Sequence, residues 1–495
     1  METKKFYITT AIDYTNGNPH IGHAYEKVAA DVLARWHKLR GEDVFFLTGT
    51  DEHGAKIAAA AEKAGKAPQE FTDEIAAKFQ KTWQNLEISP SRFIRTTDED
   101  HVKTVGEILQ KIKDNGYLYE GEYTGLYCVG HEAFITEKEL VNGVCPDHKT
   151  KPEVVKEKNW FFEVSAFTGD IKKRIERSEG DENGEGAVSG GLKIWPEQKR
   201  NEILSWLEQG FTDVSVTRPN VKWAIPAPWD PEQTVYVWID ALINYLSGAG
   251  FVLDRGEFER YWPADVHVIG ADIVKFHCII WPAMLLAAGM ELPKEVVVHG
   301  MFTVNGEKMS KSLGNVIDPN GWVLKYGADA VRYLLMREVP WGQDGDVSEE
   351  KLLARYEGDL ANGLGNLVSR TTNMIEKYCD GQVPEILRES DLPESALSPL
   401  QEVGALIEEL RFHEALAKIW ESIAWANQYI DGAKPWVLAK TDLKKTREIL
   451  SLLSAHILAV AHKLAPFLPH TAERMRKTFE SGKIGKINDL FPRIE

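Results

Sequence analysis

Short apolar runs alternate with helical patterns in the first part of the chain. FYITTAI (6–12) and DVFFLTGT (43–50) are apolar and β-branched, as expected of buried strands. Between them, apolar residues recur at helical spacing through AYEKVAADVLARWHKLRG, which ends on a glycine. Further helical patterns cover 55–64, 68–86 and 101–115. This alternation of strands and helices predicts a parallel sheet with helices on both faces.

The pattern changes twice further along the chain. Residues 117 to about 225 carry two Cys/His pairs, strand-like pieces and a Gly-rich acidic stretch, SEGDENGEGAVSGG. Strand-like runs return at 234–240, 265–272 and 295–302, and we interpret them as the second half of the same sheet. Beyond about 345 every stretch has a helical pattern, which predicts an all-helical bundle.

Composition narrows the class of protein. The chain has 495 residues, 43% of them hydrophobic and 27% charged, with a formal net charge of −17. Several domains are expected at this length, and the acidic total argues against a dedicated nucleic-acid coat. Four cysteines do not make a disulfide framework and fit a reducing compartment. Because there is no signal-peptide pattern and no apolar run of ~18 residues, we expect a cytoplasmic enzyme without a membrane partner.

Two histidines flank an Ile-Gly pair where the first predicted helix begins. His20 and His23 follow the turn-rich NGNP, and the backbone N–H groups and dipole of a helix favour an anion at such an end. Gly22 leaves room for a ligand to approach the backbone, and imidazoles can donate to phosphate oxygens. The alternative is that these residues only cap the helix, and the four letters alone do not exclude it.

A second basic motif, Lys308-Met-Ser-Lys311-Ser, follows the strand-like VVVHGMF. Its two lysines and two serines lie between Gly306 and Gly314, so the loop can fold over a polyphosphate and neutralise charge as it develops. A solvated charged loop is the plainer interpretation of this motif taken singly. Both motifs in this order, about 290 residues apart, are far more specific than either alone.

These two motifs, HIGH and KMSKS, are the signatures of the class I aminoacyl-tRNA synthetases, which the sequence resembles. Within that class it is most similar to the methionyl-tRNA synthetases, over nearly the whole chain. The resemblance rests on ITTAIDYTNGNPHIGHAY, FLTGTDEHG, VYVWIDALINY, IGADIVKFHCIIWPAML, HGMFTVNGEKMSKSLGN, NGLGNLVSR and NQYIDGAKPW. Leucyl, isoleucyl and valyl relatives usually carry a large editing insertion, for which 495 residues leave little room.

The resemblance implies an α/β fold in which a Rossmann-type nucleotide-binding parallel sheet is split by a connective insertion. The catalytic domain would comprise 1–116 and 226–325, and the insertion, with a zinc knuckle, 117–225. Residues 326–355 would form a stem-contact region linked to KMSKS, and 356–495 an all-α anticodon-binding bundle. Some family members add a dimerising C-terminal barrel, for which this chain has no room, so a monomer is expected.

The methionine pocket that the resemblance implies can be assigned residue by residue. The ammonium group of methionine would be met by an acidic residue of the GTDEHG block, here Asp51. The family's side-chain pocket corresponds to Ile12, Tyr14, Trp238, Ala241, Tyr245 and His277. Aromatic rings suit a polarisable thioether, and a histidine or tyrosine can recognise its sulfur. Taken singly, each aromatic residue is more often part of the core.

ATP, with Mg²⁺ as part of the same substrate, is the nucleotide that the resemblance implies. The expected catalytic residues are His20, His23, Lys308 and Lys311, which would stabilise the phosphates in the transition state. The expected nucleotide-binding residues are His20, Gly22, His23, Gly270, Asp272, Lys308, Ser310 and Lys311. Asp272 would bind the ribose hydroxyls, with capping of the following helix as an alternative role.

Two CxxH pairs in the insertion are candidate metal ligands. Cys128 and His131 form one pair, and Cys145 and His148 form the other. Such a sulfur and nitrogen set suits one tetrahedral structural Zn²⁺. Family members often have CxxC here and some have lost the metal, so a metal-free knuckle held by packing is the alternative.

Three residues of the helical region correspond to the anticodon readers of the family, namely Asn366, Arg370 and Trp436. A tryptophan can stack on an unstacked base, while asparagine and arginine hydrogen-bond to its edge. The alternative is a tryptophan that merely packs where a helix starts after Pro435.

The expected activity joins methionine to tRNA(Met) in two steps, for initiation and elongation of translation. Methionine and ATP give methionyl-adenylate, and the methionyl group then passes to the 3′ end of the tRNA. The carboxylate is already a nucleophile, so catalysis needs positioning and charge stabilisation rather than a general base. A nucleotidylyltransferase shares the HIGH-type site but is typically shorter and lacks the bundle. A non-catalytic RNA-binding paralogue is a third possibility, against which intact HIGH, KMSKS and Asp51 argue.

Overall fold

The chain folds into α/β layers followed by packed helices, and the computed structural model describes residues 3–128, 133–135, 140–146, 149–178, 190–219, 221–304, 306–309, 314–484 and 489–494. The strands are β1 Lys5–Thr10, β2 Asp13–Tyr14, β3 Asp43–Asp51, β4 Arg92–Arg95, β5 Leu118–Cys128, β6 Ala133–Ile135, β7 Glu153–Phe162, β8 Lys193–Trp195, β9 Val214–Ser215, β10 Thr217–Pro219, β11 Pro226–Ala227, β12 Asp230–Val235, β13 Val266–Gly270, β14 Glu295–His299, β15 Phe302–Val304, β16 Glu307–Lys308 and β17 Gly345–Asp346.

The helices lie between and after these strands. They are α1 Ile21–Leu39, α2 Ala55–Lys63, α3 Pro68–Asn85, α4 Glu99–Asp114, α5 Thr168–Glu176, α6 Glu197–Glu208, α7 Val237–Leu242, α8 Asn244–Ser247, α9 Arg255–Tyr261, α10 Trp281–Ala287, α11 Pro319–Tyr326, α12 Ala328–Arg337, α13 Glu349–Arg355, α14 Asn366–Tyr378, α15 Glu394–Glu408, α16 Phe412–Ala433, α17 Pro435–Leu438, α18 Leu443–Leu464 and α19 Pro469–Glu480. Two segments are π-helical, Phe276–Ile280 and Tyr356–Gly365.

Parallel strands from both halves of the chain form one central sheet. Its order is β2-β3-β1-β13-β14-β8, with β4 also paired to β3, and every pairing is parallel. The two halves meet where β1 pairs with β13, and the carboxyl ends of these strands lie along one edge. In doubly wound sheets the ligand site lies outside that edge. The predicted Rossmann-type parallel sheet is confirmed.

Both faces of this sheet are buried, which explains the apolar run of β1. Phe6 and Ile8 join one apolar cluster together with residues of α1, whereas Tyr7 joins a second cluster with Phe45 and Leu47. Successive side chains of a strand point to opposite faces, so a strand covered on both faces needs a nearly continuous apolar sequence.

A smaller antiparallel sheet lies between the two halves in sequence. Its strand order is β6-β5-β7-β9, with β5 paired to β7 from Leu118 to Tyr127. Strand β8 comes from the same stretch of sequence but pairs in parallel with β14, at the edge of the central sheet. The chain therefore returns to the central sheet within 117–225, and the domain boundaries stay predictions.

The strand predicted over 234–240 is wrong in its second half. Strand β12 ends at Val235, and α7 begins at Val237. The β-branched residues there favour a strand, but Asp240 is held in this helix by buried hydrogen bonds to His53 and His101. Tertiary contacts of this kind override local β propensity.

Helices α13 to α19 follow β17 and form the predicted bundle, whose apolar residues join the cluster that covers one face of the sheet. In the part of the chain that the structure describes, none of the helices has the length and apolar character to span a membrane.

Candidate active site

A single cavity of about 340 Å³ collects most of the predicted site residues. Twelve of them line it: Ile12, Tyr14, His20, Gly22, His23, Asp51, Trp238, Ala241, Tyr245, Gly270, Asp272 and His277. From the KMSKS motif, Met309 also lines the cavity. Ser310, Lys311 and the side chain of Lys308 lie outside the described residues. The structure thus brings the two predicted halves of the site together around one space.

The two HIGH histidines cap α1, and this fixes their tautomers. His20 accepts the backbone N–H of Gly22 at its Nδ1 (3.2 Å), and the Nδ1 of His23 accepts the backbone N–H of His20 (3.2 Å). An imidazole that accepts at Nδ1 carries its proton on Nε2 when neutral. The rings stack at 3.6 Å between centroids. Capping and phosphate binding are therefore compatible, because the two caps use only the Nδ1 atoms of these rings.

Gly22 lies where the chain offers little space for a side chain. A Cβ added there would lie 3.1 Å from the His20 ring and 3.1 Å from the terminal methyl of Met309. The glycine therefore lets the HIGH turn and the KMSKS motif approach each other closely.

The amino-acid side of the cavity is held by buried hydrogen bonds. The Nδ1–H of His277 donates to the carbonyl of Ile273 (3.1 Å), so its Nε2 accepts from the hydroxyl of Tyr245 (2.7 Å). Burial lowers the pKa of His277 to about 4, which keeps the ring neutral. The hydroxyl of Tyr7 in turn donates to the carbonyl of Tyr245 (2.7 Å). This side of the cavity is preformed.

Trp238 and Ala241 reach the same cavity from α7, and Tyr245 from α8. The indole of Trp238 stacks on Phe276, with centroids 4.6 Å apart and planes 16° apart. Phe276 and His277 begin the π-helical segment, and such segments are often found at functional sites. The widened turn places His277 in the cavity wall and Phe276 against Trp238, which also lines the cavity.

Asp51 ends β3, where the GTDEHG block leaves the sheet. Its carbonyl oxygen accepts from both the backbone N–H and the hydroxyl of Thr15, each at 3.0 Å. Its side chain is buried and lines the cavity. A buried carboxylate that faces the cavity can pair with an ammonium group.

The residues after Asp51 tie the block to its surroundings and were missed by the sequence analysis. Glu52 accepts a bidentate pair of bonds from Arg95 (2.7 and 2.8 Å). His53 donates from Nδ1 to Asp240 (2.7 Å), and His101 donates from Nε2 to the same carboxylate (2.8 Å). These two histidines hold the pKa of Asp240 at about 2 although burial opposes this. Asp240 thereby joins the end of β3 to α7.

A group of buried charges beneath the HIGH turn was also missed. Lys27 donates to Asp13 (2.6 Å), to Glu26 (2.9 Å) and to the carbonyl of Ala11 (3.0 Å). Burial disfavours the charged amine, but the two carboxylates outweigh it and raise the pKa of Lys27. His299 bonds to Glu26 across the cavity wall (3.0 Å). The only feature of the sequence that could have indicated this group is the presence of charged residues on a face of α1 that is otherwise apolar.

Gly270 and Asp272 lie where β13 ends. A Cβ on Gly270 would lie 2.7 Å from a carboxylate oxygen of Asp272, so glycine keeps this carboxylate in place. Asp272 is exposed and lines the cavity, and none of the described helix caps uses its side chain.

The predicted anticodon residues come together on the bundle. Arg370 lies over the ring of Trp436 (5.7 Å) and pairs with Asp431 (2.6 Å). Asn366 precedes Arg370 by one helical turn on α14, so both lie on one face. The indole of Trp436 is 39% exposed, which distinguishes it from a packed core residue.

The predicted zinc knuckle is described only in part. Cys128 and Cys145 are both buried in one small cluster with Ile135. His131 and His148 lie outside the described residues, and within the ranges that are described no group of three or more acidic, Cys or His side chains could hold a metal. Two sulfur donors brought together at the end of β5 fit the donor set that Zn²⁺ prefers.

Known proteins resemble this chain over its whole length. The family model "tRNA synthetases class I (M)" matches residues 6–151 and 147–372, and "Anticodon-binding domain of tRNA ligase" matches 398–492. The methionine–tRNA ligase of Thermotoga maritima is 45% identical over 487 residues, covering 96% of this chain and 76% of that protein. That of Caldanaerobacter subterraneus is 43% identical over 517 residues, covering 99% and 79%.

Solved structures agree with this match. Mycobacterium tuberculosis methionyl-tRNA synthetase in complex with methionyl-adenylate has a TM-score of 0.90 and 37% identity, covering 99% of this chain and 100% of that one. The apo form of the same enzyme has a TM-score of 0.83 and 33% identity, covering 100% and 99%.

The parallel nucleotide-binding sheet, the HIGH turn at its edge and the anticodon-binding helices define a class I aminoacyl-tRNA synthetase. Within this class the matching family model is the one for the methionine type. The chain belongs to the methionyl-tRNA synthetase family. Its activity is that of a methionine–tRNA ligase, an enzyme that uses ATP with Mg²⁺.

Proposed function

We propose that the cavity holds methionine and ATP side by side, with each of its halves serving one substrate. The observation that carries this proposal is the convergence of the amino-acid residues and the HIGH histidines on one space of about 340 Å³. Methionyl-adenylate is bound in the similar enzyme of M. tuberculosis, which supports the same location for the intermediate here.

On the amino-acid side, the carboxylate of Asp51 pairs with the ammonium group of methionine. The thioether is enclosed by Ile12, Tyr14, Trp238, Ala241, Tyr245 and His277. The hydroxyl of Tyr245 donates its hydrogen bond to Nε2 of His277, and Nδ1–H of His277 donates to a backbone carbonyl, so neither offers a strong donor to a competing polar side chain. Polarisable ring faces suit sulfur, and polar side chains of similar length would lose their hydration without replacement.

On the phosphate side, the Nε2–H groups of His20 and His23 donate to phosphate oxygens as the methionine carboxylate attacks the α-phosphorus. Lys308, Ser310 and Lys311 of KMSKS neutralise the departing pyrophosphate, and Mg²⁺ accompanies the nucleotide as part of the substrate. Gly270 and Asp272 hold the adenosine, with the exposed carboxylate of Asp272 on the ribose hydroxyls. The methionyl group then passes to the 3′ end of the tRNA.

The tRNA is read at its anticodon by Asn366, Arg370 and Trp436. The exposed indole beside a guanidinium supports this role, because stacking on a base and hydrogen bonding to its edge need this pair of groups. In Trp436→Ala we expect the KM for tRNA(Met) to rise about tenfold, with unchanged methionine activation. Val437→Ala is the matched control, since Val437 is also exposed and adjacent in sequence.

The connective insertion, within the proposed boundaries 117–225, carries one structural Zn²⁺ on Cys128, His131, Cys145 and His148. The two cysteines that share a buried cluster support this. A metal analysis should find one zinc per chain in the purified enzyme and a lower zinc content in His131→Ala. Near-zero zinc in the unaltered enzyme would favour a metal-free knuckle.

The enzyme acts as a monomer in the cytoplasm. Among the described residues the four cysteines form no disulfide and all four are buried, which agrees with a reducing compartment. Among the described residues, exposed large apolar side chains are mostly single rather than joined in one patch. Light scattering at micromolar concentration should give the mass of one chain.

ATP–pyrophosphate exchange tests the central proposal. Exchange should depend on methionine, and Ala241→Leu, which adds volume to the amino-acid side, should raise the KM for methionine at least tenfold with the KM for ATP unchanged. An equal rise of the two KM values in Ala241→Leu would contradict the proposal that methionine and ATP occupy separate halves of the cavity. Exchange driven by another amino acid would contradict the assignment of the pocket.

A further inference from the structure

Helix α1 carries the HIGH histidines at its amino end and contacts the helical bundle further along. Asp31 reaches the bundle through Arg332 of α12, and Trp36 and the C-cap residue Arg40 contact α15 directly. Asp31, Trp36 and Arg40 follow His20 by 11, 16 and 20 positions. At about 1.5 Å per residue, the first two contacts lie roughly 16 and 24 Å from the phosphate-binding end. A single uninterrupted helix spans this distance.

The first contact is made by Arg332 of α12, which is completely buried. Its guanidinium pairs with Asp31 of α1 (2.7 Å) and donates to the carbonyls of Phe467 (2.8 Å), Pro466 (2.9 Å) and Leu86 (3.2 Å). Pro466 and Phe467 join α18 to α19, and Leu86 follows α3. One side chain thus links the HIGH helix to the anticodon-binding region, and no part of the chemistry proposed above uses it.

The second contact lies at the other end of α1. The indole N–H of Trp36 donates to Glu408 of α15 (3.3 Å), which also pairs with Arg40. Lys463 of α18 lies over the Trp36 ring (5.7 Å). Gly404 of α15 leaves room for the indole, because a Cβ there would lie 2.7 Å from a ring carbon of Trp36. The two helices are in close contact at a single glycine.

We propose that α1 is a rigid strut through which the docked bundle sets the position of His20 and His23. Arg332 and Trp36 act as positioning residues, since they touch neither substrate. The proposal rests on the phosphate-binding role proposed above for the two histidines. The bundle that reads the anticodon would then also hold the catalytic end of α1 in register with the methionine pocket, which is built on other elements.

Gly404→Ala tests the strut by steric displacement. In the middle of a helix, alanine is about 1 kcal/mol better than glycine, so loss of helix stability is not the expected effect. The added methyl should push Trp36 and α1 away from α15. We expect the kcat of methionine-dependent ATP–pyrophosphate exchange to fall about tenfold, because a misplacement of about 1 Å can cost roughly 100-fold. The KM for methionine should stay within twofold.

A compensating variant separates positioning from general damage. Trp36→Phe removes the ring carbons that the new methyl would meet, so Trp36→Phe/Gly404→Ala should recover most of the lost kcat. Gly169→Ala is the matched control, because Gly169 lies in α5 and a Cβ there meets nothing within 4 Å. Thermal unfolding of all variants, followed by circular dichroism, reports on fold integrity.

The outcomes distinguish this proposal from the one on which it rests. An unchanged kcat in Gly404→Ala would contradict the proposal that α1 positions the histidines. A fall in kcat that Trp36→Phe/Gly404→Ala does not recover would also contradict it. His23→Ala is measured in parallel. If His23→Ala itself left kcat unchanged, the phosphate-binding role of HIGH would fail, whatever Gly404→Ala shows.

Discussion

The two sides of the active-site cavity are built differently. On the amino-acid side, Tyr245 and His277 are buried, and each is fixed by a hydrogen bond to a partner that cannot move far. On the phosphate side, His20 and His23 stand at a helix end, and Met309 of the KMSKS motif lines the same cavity. The first arrangement suits recognition of a substrate that does not change, and the second suits charge that appears only in the transition state.

The largest effect is expected on the phosphate side. In His23→Ala, kcat for methionine-dependent ATP–pyrophosphate exchange should fall about 100- to 1,000-fold, the usual loss for one donor to a developing charge. Calorimetric affinity for methionine should change less than threefold, because the proposed function assigns His23 to the phosphates and not to the thioether. Asn320→Ala, at the start of α11, serves as a control for general damage near this end of the site. Equal losses of kcat and methionine affinity would contradict the division of the cavity.

Removal of the charge on Asp51 should produce the next largest effect, this time on binding. Hydrogen bonds to charged groups contribute about 1.5–3 kcal/mol, so Asp51→Asn should raise the KM for methionine roughly 10- to 150-fold. Asp272→Asn is the matched comparison, and it should raise the KM for ATP while leaving that for methionine unaltered. A rise in both KM values in either variant would mean that the halves are not separate.

Tyr245→Phe examines the rigidity of the amino-acid side. Loss of the hydroxyl leaves Nε2 of His277 without its donor, which costs about 1–3 kcal/mol for a buried acceptor. We expect the KM for methionine to rise about tenfold and kcat to fall less than threefold. The matched control is Tyr261→Phe, whose hydroxyl donates to Asp43 away from the residues that line the cavity. If kcat fell more than KM rose, Tyr245 would belong to the chemistry rather than to recognition.

The sequence predicted those features that depend on residues close together in the chain. The parallel sheet follows from local apolar patterns in β1, β3 and β13, and the HIGH turn from local letters, so both were predictable. The membership of Trp238, Ala241 and Tyr245 in one pocket came only from the family resemblance. Their periodicity alone is equally typical of a core stripe.

What the sequence did not predict depends on contacts between distant residues. Asp240 appeared to belong to a strand, because nothing near it in sequence reveals that His53 and His101 bond to its carboxylate. Arg332 carries no local sequence signal of its burial, yet it is completely buried against Asp31 and two carbonyls of the bundle. Buried polar partners are set by tertiary packing, which local patterns do not encode.

Asp240→Asn should weaken methionine binding indirectly, and its effect should be smaller than that of Tyr245→Phe. The amide cannot accept from both His53 and His101 as the carboxylate does, so α7 should loosen against the end of β3. The KM for methionine should rise about threefold to fivefold in exchange assays. Asp230→Asn is the control, because Asp230 accepts from Trp160 away from the cavity. A KM unchanged by Asp240→Asn would mean that this network supports stability alone.

The smallest effect expected is that of pH on methionine binding. Because burial holds the pKa of His277 near 4, below its ordinary 6.5, the ring stays neutral at every pH at which the enzyme is assayed. The stability that this neutral ring contributes is complete above pH 6.5. It is lost as the pH falls from 6.5 towards 4, where only the unfolded chain takes up the proton. The KM for methionine should therefore change less than twofold between pH 8 and 5.5, measured under conditions in which circular dichroism shows a folded enzyme. A rise in KM with a midpoint near 6.5 would mean that His277 titrates as an exposed histidine, and the amino-acid side would then not be preformed.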